Sequence, residues 1–509
     1  MLSDTRNADR SLFSQTFDIC IIGAGPAGIT LARRLARSGW NVALMEGGDV
    51  DFTDESQDLY IGEITGIPYT DLDAARLRYL GGTSNHWGGA CRELDAYDFT
   101  PWPHIALSGW PISKSDLDPY QPEVNDILDL KPPAGFPDHP IDHDEHLFRK
   151  IDYRQSGPTR FGRKYKDELV ASDKIQLVLN ANLVDLRLDS ELQTVTEAVF
   201  RGYGTDDPGF TVQARIYCLC CGGMENPRIL LNARSQALKG IGNNYDLVGR
   251  YFCEHPFITA GEILFEEPFY VREEFAPTPA VIGETRILNY NMHVAPWSYG
   301  SPLSLPKEVA RSAACATPFL DRLVTEVLGK SLKCDNDAYG ITGYRAKREE
   351  AFRGRLDLQM EQSLLPGNRI MLIEDTDRFG LNKIAMDWNL GALDHRTIRA
   401  AVMGIGTHLA AHGIGRVKVP DWLLDDNWDA MVSSGSIRGS MHHMCTTRMS
   451  DNAREGVVDA DCRIHGMTNL YVGGSSVFAT AGHATPTYTI CQLALRLGDH
   501  LTQEAANPA

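Results

Sequence analysis

Phe17-Asp-Ile-Cys-Ile-Ile22 runs into Gly23-Ala-Gly-Pro-Ala-Gly28; the chain continues as Ile29-Thr-Leu-Ala-Arg-Arg-Leu-Ala-Arg-Ser-Gly39, and Asn41-Val-Ala-Leu-Met45 ends at Glu46. The first apolar run predicts a buried strand, the middle stretch has helical periodicity, and the second run predicts another strand. Together they form a β-α-β unit with the glycine spacing of a dinucleotide site. Gly23 permits the tight turn, Gly25 lets backbone approach a pyrophosphate, and Gly28 lets the helix lie close on its strand. The helix N-terminus offers unpaired N–H groups to phosphate. Glu46 stands where ribose hydroxyls need an acceptor, and its charge disfavours a 2′-phosphate. The fingerprint leaves NAD and FAD both open.

Outward from this unit, Lys174 to Val184 and Val195 to Phe200 predict strands of a small sheet. Ala214 to Cys221 predicts a buried strand entering Gly222-Gly223 and a helix. The segment 132–168 is rich in Pro, His and charge and predicts loop. Residues 267–355 mix Pro, Gly and aromatics around one helical stretch, 319–332, and predict a lid. Strand patterns recur at Arg369 to Asp375 and Lys383 to Trp388, followed by a helical run from Leu393 to His412.

The whole chain has 509 residues, with 49 Lys and Arg against 67 Asp and Glu and a net charge of -18. Such a surface repels phosphate backbones and anionic lipid, so neither a nucleic acid nor a membrane is an expected partner. No uninterrupted apolar span approaches the roughly 20 residues of a membrane helix. The N-terminal stretch lacks an apolar signal core and a twin arginine, so the expected location is cytoplasmic. Eleven cysteines show no zinc spacing, and the cluster Cys218, Cys220 and Cys221 reads as core packing. His139, His143 and His146 stand among acidic residues in a Pro-rich stretch without a three-ligand face, so no metal site is expected.

Three separated stretches resemble the glucose-methanol-choline (GMC) family of FAD-dependent oxidoreductases. They are the fingerprint with Glu46, the loop Leu80-Gly-Gly-Thr-Ser-Asn-His-Trp-Gly-Gly89, and the C-terminal part from Met441-His-His-Met-Cys445 through Gly473-Gly-Ser475 to His483-Ala-Thr-Pro-Thr487. Weaker echoes are the CGGMENPRILLNAR, VGRYFCEHP and SGWPISKSDLDPY stretches. The Thr-Ser-Asn-His-Trp form looks most similar to pyranose 2-oxidases and bacterial glycoside 3-oxidases. The resemblance implies FAD rather than NAD. It also implies an α/β fold in which a Rossmann-like, doubly wound FAD domain (1–105, 170–255 and 435–509) is interleaved with an antiparallel-sheet substrate domain (106–169 and 256–434).

The resemblance also assigns residues. FAD would be held by Gly23, Gly25, Gly28, Glu46, Thr83, Asn85, His86, Gly88, Val184, Gly222, Gly474, Thr485, Pro486 and Thr487. In some members the histidine matching His86 is joined to the flavin, in others it is not; both remain open here. His442 matches the family's catalytic base, a task that suits a side chain with an ordinary pKa of about 6.5. His443 would support it. The second catalytic position, usually Asn or His, is Thr485; a hydroxyl cannot match an amide's separate donor and acceptor groups, so His483 could take over orientation. Gln362, beside Glu361, resembles a substrate-facing position.

The activity so implied is oxidation of a secondary ring hydroxyl, C3 or C2, of a sugar or glycoside. Oxygen, a quinone or another carrier would accept the electrons. The alternatives are a dehydrogenase subunit serving a quinone or cytochrome, and a flavin-binding lyase without net redox turnover. The sequence is silent on oligomeric state.

Overall fold

A computed structural model describes residues 1–6, 15–132, 141, 146–157, 159–204, 207–269, 272–297 and 352–506. The expected helix at 319–332, and His139 and His143, lie outside the described residues.

Thr16–Ile22 and Val42–Met45 pair in parallel, and Val42–Met45 pairs in turn with Ile175–Leu179. All of Val42–Met45 and all of Ile175–Leu179 are buried. That is why Val42–Met45 is an uninterrupted apolar run and Ile175–Leu179 departs from one only at Gln176, whose amide donates to Ser3 Oγ (2.8 Å): a parallel strand covered on both faces has no solvent side to mark with polar residues. On its other edge Thr16–Ile22 pairs in parallel with Phe210–Leu219. Leu470–Val472 joins the far edge of that strand, also in parallel. Asn182–Leu188, Val195–Arg201 and Phe210–Leu219 form an antiparallel meander that extends the sheet.

This order sets three strand ends side by side. Each enters a glycine turn: Ile22 into Gly23, Leu219 toward Gly222, and Val472 into Gly473-Gly474. Gly23 has φ +102°, and a Cβ there would lie 2.7 Å from the carbonyl oxygen of Cys220. Gly28 sits on the first helix, Pro26–Arg37. A Cβ on it would fall 1.9 Å from the oxygen of Gly23, so the helix lies on its strand only because this position has no side chain.

A second core surrounds an antiparallel sheet ordered Gly415–Lys418, Phe257–Phe265, Arg353–Met360, Tyr290–Pro296, Glu273–Pro277 and Phe148–Lys150. The helix Ala392–Ala411 packs with this core through Ile398, Val402, Ile405 and Leu409. Arg369–Thr376 and Asn382–Trp388 form a hairpin, to which Glu63–Gly66 adds in parallel.

Two expectations need correction. The stretch 106–169 does not go wholly with the second sheet. Trp110, Ile112, Leu117, Val124, Phe161 and Leu169 pack in the core of the parallel sheet, and Phe148–Lys150 is the part that joins the antiparallel one. Apolar periodicity marks a buried face without saying which core buries it. The described part of the expected lid is not a cover either. Every residue of Tyr290–Pro296 is buried, with a strand on each side. Its Pro and aromatic content misled because the Pro residues stand at element ends, Pro277 and Pro296 closing strands and Pro279 opening the helix Pro279–Thr285.

Among the described residues no helix is long and apolar enough to cross a membrane, and no cluster of His, Cys, Asp or Glu is arranged to hold a metal. Cys218 and Cys220 are buried with their sulfurs 3.7 Å apart, unbridged.

Candidate active site

A cavity of about 550 Å³ opens where the glycine turns meet. Three helices start on its wall: Pro26–Arg37 at Gly25, Gly222–Asn232 at Gly222 and Pro486–Ala506 at Thr485. Each presents the positive end of its dipole and first-turn N–H groups, so the wall favours an anionic ligand at several points. A Cβ built on Gly25, Gly88 or Gly222 would meet no protein atom within 4 Å; these glycines border open space. Glu46 lines the cavity with both carboxylate oxygens anchored, Oε2 by the N–H of Ala24 (3.0 Å) and Oε1 by the N–H of Gly48 (2.8 Å). Each oxygen keeps a further lone pair for a hydroxyl.

Beside Glu46, Arg78 donates from Nη2 to Oδ1 of Asn182 (3.0 Å), while its buried Nε has no partner among the described residues. A guanidinium left one bond short on the wall is a second mark of a missing acceptor. Arg76, Glu225, Arg228 and Asp377 also line the cavity, as a buried ion network. These groups fit a dinucleotide such as FAD: helix ends and a spare guanidinium N–H for the phosphates, an anchored carboxylate for the ribose.

Most of the expected FAD residues lie on this wall: Gly23, Gly25, Glu46, Thr83, His86, Gly88, Gly222, Gly474, Thr485, Pro486 and Thr487. Gly28 does not, since it serves the helix–strand contact. Asn85 turns away, its amide donating to the carbonyl of Leu80 (2.8 Å). Val184 is also off the wall. The cavity touches Ala181, Asn182 and Leu183, where the strand starts, and Val184 is a step farther along it.

His442 and His443 also line the cavity. Met441 has φ +61°, an uncommon state for this residue. Glu254 holds it there: its carboxylate accepts the N–H groups of Met441 (2.7 Å), His442 (2.5 Å) and His255 (3.1 Å) and the hydroxyl of Tyr69 (2.6 Å). Burial pushes the Glu254 carboxyl up to about 7, against the pull of these donors. The Tyr69 hydroxyl also lies 3.1 Å from Nε2 of His443. Burial, with His255 and His443 adding to it, holds His442 well below the usual histidine range, so its ring is neutral at neutral pH and able to accept a proton.

Gln362 is not available to a substrate. Its Oε1 accepts from the N–H of Glu254 (2.9 Å) and from Nε1 of Trp388 (3.0 Å), and its amide donates to the carbonyl of Asn389 (2.8 Å). Gln359 lines the cavity instead. His483 is also withdrawn: it is buried against Tyr153, whose hydroxyl lies 3.2 Å from Nδ1, with Asp95 on the far side. Thr485 does reach the wall, but its hydroxyl donates to the carbonyl of Ala90 (2.6 Å), leaving its oxygen only as an acceptor. Thr485→Val is therefore expected to lower stability by about 1 kcal/mol. Thermal unfolding would register this, with flavin reduction slowed less than about tenfold.

Glu361 faces a pocket of about 10 Å³ beside Asp98 and Asn289, apart from the main cavity. Burial pushes its carboxyl up to about 7. Stability from its protonated form is complete below the unfolded value of about 4.5 and lost as pH rises through 7. Glu361→Gln does not titrate. Its melting temperature should rise relative to wild type from pH 5 to pH 8, by the equivalent of up to about 3 kcal/mol; parallel curves would refute this.

Sequence reasoning missed Tyr69, Gln359, Arg76, Arg78 and the role of Glu254 and His255. The only signal was the Cys253-Glu-His-Pro256 echo.

Residues 366–494 match the family model described as GMC oxidoreductase, its C-terminal domain. The chain is similar to the 6‴-hydroxyparomomycin C oxidase of Streptomyces lividus, with 23% identity over 97% of this chain and 93% of the relative. It is also similar to the paromamine 6′-oxidase of Streptomyces fradiae, with 24% identity over 97% and 92% of the two chains. The crystal structure of a formate oxidase shares the fold with a TM-score of 0.57 at 15% identity, covering 97% of this chain and 99% of that one.

Proposed function

We propose that the chain acts as a GMC oxidoreductase, a reading supported by the match of residues 366–494 to that family, and that it oxidises a hydroxyl of a sugar, glycoside or related amino sugar to a carbonyl with FAD. The observation that carries this reading is the cavity itself, whose wall holds both Gly23, Gly25 and Glu46 and the ring of His442, which burial keeps neutral. Bound FAD would supply the acceptor, at its N5, for the hydride leaving the carbinol carbon. His442 takes the hydroxyl proton. Ser440, Met441 and Gln359 border the cavity together with His442 and would give a polyhydroxylated substrate both polar and apolar contacts. The start of Pro486–Ala506 lines the cavity, and with FAD bound the positive end of its dipole would favour the negative charge of the reduced ring. His86 stands exposed on the wall; acid precipitation tests a covalent bond, which would carry the yellow colour into the pellet.

The position of attack has two readings. The Thr83–Trp87 resemblance supports a secondary ring hydroxyl, C3 or C2. The relative named for the 6′ position of paromamine supports an exocyclic one. Product NMR after turnover of glucose, an aryl glycoside and paromamine separates them. Oxygen uptake compared with dye reduction identifies the electron acceptor class. Absence of a carbonyl product from every sugar would overturn the substrate assignment.

A further inference from the structure

Cys253 and Met444 form an isolated antiparallel bridge, with the N–H of each donating to the carbonyl of the other (3.1 and 3.0 Å). Two residues on along one segment and two back along the other, this register sets His255 opposite His442. Their rings meet edge to face, with centroids 5.0 Å apart and the two Nδ1 atoms 2.9 Å apart.

The hydrogen bonds around this pair decide where the protons sit. Nε2 of His255 faces the carbonyl oxygen of Ala481 at 3.3 Å. A carbonyl only accepts, so Nε2 of His255 carries a proton. A neutral imidazole has one N–H, which leaves Nδ1 of His255 as a lone pair. The proton between the rings therefore belongs to Nδ1 of His442. Nε2 of His442 is then bare, and no hydrogen bond reaches it from any described residue, although the ring borders the cavity.

We propose that His255 is a positioning residue that fixes His442 in its Nδ1–H tautomer, so that the nitrogen facing the cavity is the one able to take a proton. This rests on the reading of His442 as the base.

The opposite arrangement has a definite cost. If Nδ1 of His442 accepted from His255, then Nε2 of His255 would either set a lone pair against the Ala481 oxygen or make His255 a buried cation. Burial holds His255 at about 4, which opposes the cation. Nε2 of Gln359 lies 3.4 Å from the same nitrogen of His442, and placed so it would donate there; the two ends of an amide exchange by a half-turn of the group. Turned with its oxygen inward, it shares the Nδ1 proton rather than competing for it. The backbone is fixed from the same place: Glu254 holds the N–H of His442, and Ser440 Oγ donates to the carbonyl of His255 (2.7 Å). One dipeptide thus holds both the main chain and the ring of the base, the third-group role that other nucleophile and base pairs require.

The test is nitrogen NMR of FAD-loaded protein labelled with ¹⁵N-histidine, with the His442 signals assigned by their loss in His442→Asn. Wild type should show a protonated Nδ1 and a bare Nε2. His255→Leu, which offers no acceptor, should shift His442 to the Nε2–H form or a mixture. His255→Asn, whose side-chain oxygen lies near the place of Nδ1, should restore the wild-type pattern. With whichever of glucose, phenyl glucoside or paromamine bleaches the flavin, the limiting reduction rate should fall about 10- to 100-fold in the leucine variant. Apparent substrate affinity should change less than about threefold, and the asparagine variant should recover most of the rate. An Nε2–H signal for His442 in wild type, or an unchanged tautomer in His255→Leu, overturns the proposal. If His255→Leu fails to fold, the wild-type and asparagine spectra still decide it. If His442→Asn reduces flavin normally, the base reading fails, while the tautomer readout, which needs no turnover, still judges the lock.

Discussion

His442→Asn is expected to slow anaerobic flavin reduction by about 10³-fold, within the range that general-base groups supply. Glu254 fixes the His442 backbone, His255 fixes its ring, and the remaining nitrogen faces the cavity. Asparagine leaves the Glu254 contact to the main chain intact and can donate toward His255, so the fold and flavin content should hold. What it lacks is a nitrogen that can take a full proton. The loss should therefore appear in the limiting rate rather than in apparent substrate affinity. Reduction within about threefold of wild type would exclude His442 as the base.

Gly25→Val is expected to abolish most FAD binding while leaving the protein folded. Gly25 caps the first helix with φ -87° and ψ -168°, extended backbone with negative φ near the region that residues before a proline adopt. Its Cβ would meet no protein atom within 4 Å, so the added methyls enter the cavity where a pyrophosphate must approach the helix end. Affinity should fall at least about 100-fold, a loss of about 3 kcal/mol. Far-UV circular dichroism and the melting temperature of the flavin-free protein should match wild type. Gly23→Ala is the useful contrast. There the positive φ and the 2.7 Å approach to Cys220 strain the turn itself, so that variant should lose stability as well. A yellow, fully loaded Gly25→Val protein would show that the cofactor does not cross the glycine turn.

Both predictions use residues legible in the sequence, and the contrast with what was not legible has a physical basis. The Phe17–Glu46 unit announces itself because every constraint in it is local: buried parallel strands, a turn that needs Gly23, a helix that needs Gly28. Gln362 failed as a substrate residue because its partners are Glu254, Trp388 and Asn389, which only the folded chain brings to it. Nothing local distinguishes it from Gln359, which does reach the cavity. Val184 missed by a step because the boundary of a strand, not its composition, decides which residues border the ligand. Glu254 and His255 stood in a recognisable stretch, but their work depends on the bridge between Cys253 and Met444, a long-range pairing with no sequence period of its own.

The central claim is hydride transfer from a sugar-like alcohol to a flavin in this cavity, and an anaerobic absorption spectrum tests it most directly. Glucose, aryl glycosides and paromamine would be added in turn to the flavin-loaded protein. Bleaching of the yellow band by at least one of them, reversed when air or an electron-accepting dye is admitted, is the predicted result. A band that survives every one of these alcohols but falls to dithionite would contradict the claim, because it would leave a competent flavin without the substrate class proposed for it.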